Sequence, residues 1–411
     1  MSGKTRRTGA RRVIVAVACL AALGGVTVVW AIVSTAASSA LWTIGTSPQQ
    51  PVYAVVDMRA GRAVFSGFDG TVSVVDTRGG QVVRNVHVGV VGRNSSLAVA
   101  VQAGHTFVIS QGIQSIHGYP AAPSTVSMLD TRTGVPLRAV SLGIEATNAA
   151  VDERSGHVFV TVVGATRLDG IPVGAGSVSM LDAQTGALVG ATKVGRRPVV
   201  VAVDGQTARV FVANGDSNDV SILDARSGMV IRTVPVRRTP QAIAVDEKTG
   251  RVFVANSGDG SVSVLDARTG ALMRTIPVGS YDDAVAVDTR AGRVLVTSIG
   301  AVSVLDATTG SVLRTFPVGG SPYAIAVDAR TNRAFVTGTD GGVWAAIHHV
   351  APGQPPEWAG YVAVLDTQQV TLLRTVRVGR DPRGIAVDEQ AGHAFVANYW
   401  SSSVSVLDTT R

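Results

Sequence analysis

Most of the features that would let this 411-residue chain be classified by its chemistry are missing. Its one cysteine is Cys19, which excludes an intramolecular disulfide, a thiolate zinc site and a CxxCH haem attachment. No GxSxG elbow, Walker A loop or HExxH helix occurs, and the GAG at Gly174 to Gly176 lacks the strand-to-helix setting of a dinucleotide fingerprint. No stretch after residue 40 carries the apolar period of a helix, and aromatic residues make up only 5%. What the chain does have is valine-rich runs broken by Gly, Asp and Asn, with 46 glycines in all. Runs of strand length separated by turn residues make the chain all-β.

Charge narrows the partners. Lys4, Arg6, Arg7, Arg11 and Arg12 supply five of the +7 net charge, and no acidic residue precedes Asp57, so the rest carries only +2. A near-neutral body gives little support for a nucleic-acid groove. Behind this basic leader (1–12), Val13 to Val33 is 21 uncharged, mostly apolar residues. That is enough to cross a bilayer at about 20 residues per span, with the arginines holding the N-terminus in the cytoplasm. A signal peptide cleaved near Ala40 is the alternative, because Ser38 and Ala40 suit a signal peptidase. Either reading puts the body outside the cytoplasm, after a short linker at 34–39.

The body, residues 40–411, is a repeat. Its clearest copy is Pro240 to Gly279, PQAIAVDEKTGRVFVANSGDGSVSVLDARTGALMRTIPVG, with four strand-length runs and short turns. Four short antiparallel strands per copy of about 42 residues make one blade of a β-propeller. The Asp closing the third strand recurs at 76, 130, 182, 224, 266, 306, 366 and 408, which predicts eight blades. Seven is the alternative if the first or second copy is incomplete. The last copy stops after its third strand, and Ala40 to Ser47, ALWTIGTS, resembles the missing fourth strand. The ring is therefore expected to close by pairing the two termini, which removes exposed strand edges.

The FVAN of Phe211 to Asn214, Phe253 to Asn256 and Phe395 to Asn398, with VSVLD or VSILD after each, then TG and a closing VG, resembles the YVTN β-propeller repeat proteins. The resemblance covers everything from residue 40 onward. It implies the propeller fold strongly and an activity poorly, since such propellers include surface-layer proteins, nucleic-acid binders and relatives of enzymes. The GH and WD signatures of WD40 repeats are absent.

Most residues that look catalytic are repeat residues. Asp57, Asp152, Asp204, Asp246, Asp288, Asp328 and Asp388 end first strands, where a carboxylate can accept turn amides. His157 and His393 stand where other copies have Arg62, Arg251, Arg293 and Arg333. Phe65, Phe107, Phe159, Phe211, Phe253, Phe335 and Phe395 share one second-strand position suited to packing between blades.

The exceptions carry the functional signal. Three loops between second and third strands are long, 111–125, 163–177 and 339–361, and all three fall at the same blade turn. Strand alternation puts this turn and the fourth-to-first join on one face, leaving the other face plain. An uncleaved anchor would enter from the plain side and point the long loops outward. Trp344, Trp358, Trp400, Tyr119, Tyr361 and Tyr399 lie in the elaborated loops, with Tyr281 and Tyr323 at neighbouring joins. Amphipathic aromatics on variable loops point to a binding surface. At the channel mouth, Asp282 and Asp283 join Glu145, Arg197, Asp381 and Arg383, a charge mixture that suits a polar ligand or a cation.

These residues favour a non-enzymatic binding propeller whose loop-bearing face meets a protein, glycan or polymer. No catalytic residue, metal ligand or cofactor is assigned. The alternative is a lactonase-like or lyase-like enzyme using Glu145, Asp282 and Asp283, with His348 or His349. A third reading, implied by the resemblance alone, is single-stranded nucleic-acid binding, for which Arg167, Arg196, Arg197, Arg237, Arg238, Arg380 and Arg383 are the dispersed cations.

Overall fold

A computed structural model describes residues 42–45, 50–89, 96–112, 123–143, 145–164, 174–279, 284–340 and 359–410. These residues form thirty-two strands in eight four-stranded antiparallel sheets, and none of them is helical. The protein is an eight-bladed β-propeller. Both doubtful copies make full blades. The first runs from Pro51–Asp57 to Val82–His87, and the second from Leu97–Ala100 to Pro136–Ser141. Among the described residues no helix is long and apolar enough to cross a membrane, and the segment 13–33 lies outside them.

The ring closes through its termini. Blade eight comprises Pro382–Asp388, His393–Asn398 and Ser403–Asp408, and its fourth strand is Trp42–Gly45, registered from Trp42 opposite Val406 to Gly45 opposite Ser403. First strands pack on one another in chain order, and blade eight meets blade one. Blades three and seven therefore stand opposite each other, as do blades four and eight.

Each blade repeats one burial gradient. First strands are half-buried around the channel, second and third strands are buried, and fourth strands are mostly exposed at the rim. The core is eight apolar clusters, one for each blade-to-blade seam. The seven second-strand phenylalanines are all fully buried in them, with Leu295 taking the place in blade six. Burying each such side chain contributes about 1.5–3 kcal/mol.

On the plain face every turn is closed by hydrogen bonds. Asp266 Oδ1 accepts the Thr269 amide at 2.7 Å and its hydroxyl at 2.8 Å. Asp130, Asp182, Asp224 and Asp306 treat Thr133, Thr185, Ser227 and Thr309 alike. Asp246 and the other first-strand aspartates are buried and accept turn amides in the same way.

The histidine and arginine position that follows does more than cap a turn. His105, His157 and His393 each donate through Nδ1 to a carbonyl of the next blade, those of Ala183, Ala225 and Thr77, at 2.8–3.1 Å. Arg251 and Arg333 do the same to Ala307 and Thr409, both at 2.7 Å. The His393 bond joins the last blade to the first.

Candidate functional site

The site lies where first strands begin, on the face that carries the three insertions. Here the local backbone is unusual in a repeated way. Gln50, Arg197, Thr239 and Asp381 all have positive φ, 51–57°, and each precedes a proline, Pro51, Pro198, Pro240 or Pro382. Such a conformation costs about 1–3 kcal/mol per residue unless its surroundings hold it. In each case the strained residue's carbonyl accepts an amide from the second-to-third turn of its own blade. The donors are Phe68, Gly215, Ser257 and Tyr399, at 2.9–3.1 Å.

Just inside this collar the first strands bulge. Register shifts set Thr147-Asn148, Val199, Gln241, Tyr323-Ala324 and Arg383 out of the ladder. A bulge re-aims side chains. Thr147, Asn148, Val199 and Gln241 accordingly line a cavity of about 410 Å³ at the channel. Thr161 pins the blade-three bulge: its hydroxyl accepts the Asn148 amide at 3.0 Å, donates to the Asn148 carbonyl at 3.2 Å and lies 2.7 Å from the Thr147 hydroxyl. Thr297 and Thr337 meet the amides and carbonyls of Ala284 and Ala324 in the same way. Where the second strand reads FVAN, the Asn is wholly buried and bonds third-strand serines instead, as Asn256 does to Ser263 at 3.0 Å.

The structure brings Glu145 and Arg197 together in the lining of this cavity. Arg197 donates through Nε to Asp216 at 2.7 Å. Tyr53, Asn148 and Gln241 complete the polar wall, and Val163, Val200, Ile243 and Val285 supply an apolar one. Burial pushes the Tyr53 phenol up to about 12, opposed by the nearby Arg383 charge, so its hydroxyl stays protonated at neutral pH.

A second group forms at the seam of blades eight and one. Both Nε and Nη2 of Arg383 reach Asp381 Oδ2, at 2.9 and 2.8 Å, and the guanidinium lies 4.0 Å from the centroid of the Tyr399 ring. Trp400 and Phe68 approach Tyr399 edge-on, at 5.0 and 6.4 Å. Tyr399 is buried and Trp400 half-buried, so Trp400 and Phe68 carry the accessible ring surface here.

Tyr361 is placed otherwise than expected. The blade-seven ladder runs further up than in other blades, through Gly338 opposite Tyr361 and Thr339 opposite Gly360, so the loop begins and ends beyond these residues. Tyr361 is 1% exposed, and its hydroxyl donates to the Gly319 carbonyl at 2.7 Å. Burial pushes its phenol well above the usual range. It is a wall residue of the sixth-to-seventh seam. Tyr323 is half-buried at the blade-seven bulge. Tyr119, Tyr281, Asp282, Asp283, Trp344, Trp358, Arg167, His348 and His349 lie outside the described residues.

Sequence reading missed Tyr53, Thr147, Asn148, Asp216 and Gln241. Tyr53, Thr147, Asn148 and Gln241 carried a signal, since each stands where PVVVAVD has Val199 or Val200.

No family model and no curated protein matches the chain. Among solved structures it is similar to the computationally designed protein Ika8, with a TM-score of 0.66 and 16% identity over 90% of this chain and 100% of the design. It is also similar to BamB from Moraxella catarrhalis, with a TM-score of 0.60 and 16% identity over 90% of this chain and 98% of BamB. The C-terminal WD40 domain of Sif2 gives a TM-score of 0.66 and 10% identity over 90% of this chain and 97% of the domain. At these identities the likeness concerns the fold: the described residues make the same kind of propeller ring.

Proposed function

We propose that the chain is a non-enzymatic binding propeller that works outside the cytoplasm, is related to the YVTN repeat proteins, and presents its loop-bearing face to a protein, glycan or polymer. The observation that carries this reading is the difference between the faces. All three long insertions, the proline-collared joins and the channel cavity fall on one of them. Variation at one set of turns over a repeated scaffold is how binding surfaces are built on rigid folds. The location rests on the basic leader and the apolar run 13–33, and the family on FVAN, VSVLD and TG.

The test is site-specific photo-crosslinking in the cells that make the protein, with the reactive residue at Arg238 or Trp400 on the loop-bearing face and at Arg268 or Arg290 on the plain face. Adducts from the first pair alone support the reading. Adducts from the plain-face pair alone, or from neither pair, overturn it. A membrane-impermeant amine reagent applied to intact cells is expected to modify Lys248, and protection of Lys248 until lysis would reject the extracytoplasmic location.

A further inference from the structure

The seam between blades eight and one departs from the repeat on the loop-bearing face, and its departures converge. The amides that bond the proline collar belong to Gly215 and Ser257 in blades four and five, but to Phe68 and Tyr399 in blades one and eight. Trp400 follows Tyr399, and Arg383 stands at the bulge that Val199 and Gln241 hold in blades four and five. Ring closure accounts for Tyr399, which is buried against Phe68, Trp400 and the Arg383 guanidinium. It does not account for the ring surface left open: Phe68 is 36% exposed and Trp400 half-buried. The polar edge beside these rings is incomplete as well. Nε and Nη2 of Arg383 both reach Asp381 Oδ2, whereas Asp381 Oδ1 is buried and accepts from no described residue. Arg380, whose carbonyl accepts the Trp400 amide at 3.2 Å, adds a second guanidinium.

We infer that this seam binds a neutral oligosaccharide of gluco-configured pyranose units. The inference rests on the binding reading above for the face involved and deepens it by choosing a glycan among the partner classes. A pyranose whose hydroxyls are all equatorial carries only C–H bonds on its two faces, and these slightly positive hydrogens meet the negative face of an aromatic ring. Trp400 and Phe68, from two blades, offer two such rings, so the ligand spans more than one sugar unit. Sugar hydroxyls both donate and accept. They accept from Arg383, and one donates to Asp381 Oδ1, a buried oxygen that is costly to leave without a donor. Asp381 and Arg383 neutralise each other, so this edge selects hydroxyls rather than a charged group.

Titration of the full-length protein, in a detergent without a sugar headgroup, with cellohexaose, chitohexaose and β-1,4-linked hexaglucuronate, followed by saturation-transfer NMR, tests the inference. Saturable binding of cellohexaose or chitohexaose is expected, tighter than that of hexaglucuronate and weakened about ten-fold by Trp400→Ala. Because loss of Trp400 could loosen the ring closure, Phe68→Ser in the other blade is the second variant, with an expected loss of about three-fold. Absence of binding by both neutral hexasaccharides, equal or tighter binding of hexaglucuronate, or an unchanged affinity in either variant overturns the inference. Saccharide binding with no loop-face crosslinks rejects the interaction reading while leaving this site, and crosslinks without saccharide binding reject this site alone.

Discussion

Gly270 and Gly300 have the same backbone angle, φ +70°, and stand at opposite ends of their blades. Gly270 closes a plain-face turn, where an added Cβ would lie 2.3 Å from Ile222 Cδ1 of the preceding blade. Gly300 is in a loop-face turn, where the nearest atom, the Gly320 carbonyl oxygen, is 3.9 Å away. Gly270 is typical of its turn: Gly134, Gly186, Gly228 and Gly310, at the same third-to-fourth turn, also abut side chains of the preceding blade. These turns close their own hairpin and pack on the neighbour at once, which is why they hardly vary. The turn at Gly300 meets no such neighbour. Gly270→Ala should therefore cost about 3 kcal/mol, combining positive-φ strain with overpacking, and Gly300→Ala about 1 kcal/mol from strain alone. Chemical denaturation of the two variants checks this, and equal losses would break the distinction between the faces.

The next largest effect concerns the carboxylates that close plain-face turns. Asp266→Ala removes the acceptor for the Thr269 amide and hydroxyl and should cost about 1 kcal/mol, the net worth of a hydrogen-bonded turn that remains partly wetted. Removing the Trp400 side chain from the loop face should change the unfolding midpoint less than this. A larger loss in the Trp400→Ala variant would mean that this face, too, holds the ring together.

The two faces were also unequally legible in the sequence. The eight aspartates spaced along the chain, the FVAN and TG repeats and the split last blade were enough for the architecture, because each repeated residue meets the same local demand in every copy. That His157 and His393 reach the next blade was not legible, since a turn residue and an inter-blade donor have the same spacing. The cavity was only partly readable. Glu145 and Arg197 stood out as charges against a valine background, but Thr147, Asn148 and Gln241 enter it through bulges, and a one-residue register shift leaves no mark in an apolar pattern. Tyr361 misled for a related reason: a ladder that continues two steps further turns an expected loop aromatic into a core one.

Acid should separate the faces as well. Hydrogen bonds from turn amides and hydroxyls hold Asp182, Asp224, Asp266 and Asp306 below the usual carboxylate range. A carboxyl depressed in the folded state stabilises fully above its unfolded pKa, about 3.9, and loses that contribution as the pH falls through the lower folded value. The denaturation midpoint should thus be level between about pH 7 and 5 and fall below about pH 4. Asp266→Asn should be less stable than the parent at pH 7 and converge with it near pH 2. A gap that persists at pH 2 would assign the effect to shape rather than charge.

The smallest predicted effect has the opposite sign and comes from the other face. Asp219 begins the third strand of blade four, next to the Asp216 turn, and burial raises its carboxyl above the ordinary value despite a hydrogen bond from Asn214 Nδ2 at 2.6 Å. A carboxyl raised in the folded state costs stability above its folded pKa, and that cost is relieved as the pH falls through it. Asp219→Asn keeps an oxygen that can accept the Asn214 bond and removes the desolvated charge. The variant should be as stable as the parent at pH 7 or more stable, by less than about 1 kcal/mol, with the advantage shrinking on acidification. Loss of stability at pH 7 would mean that the charge on Asp219 helps hold the loop-bearing face, as the turn aspartates hold the plain one.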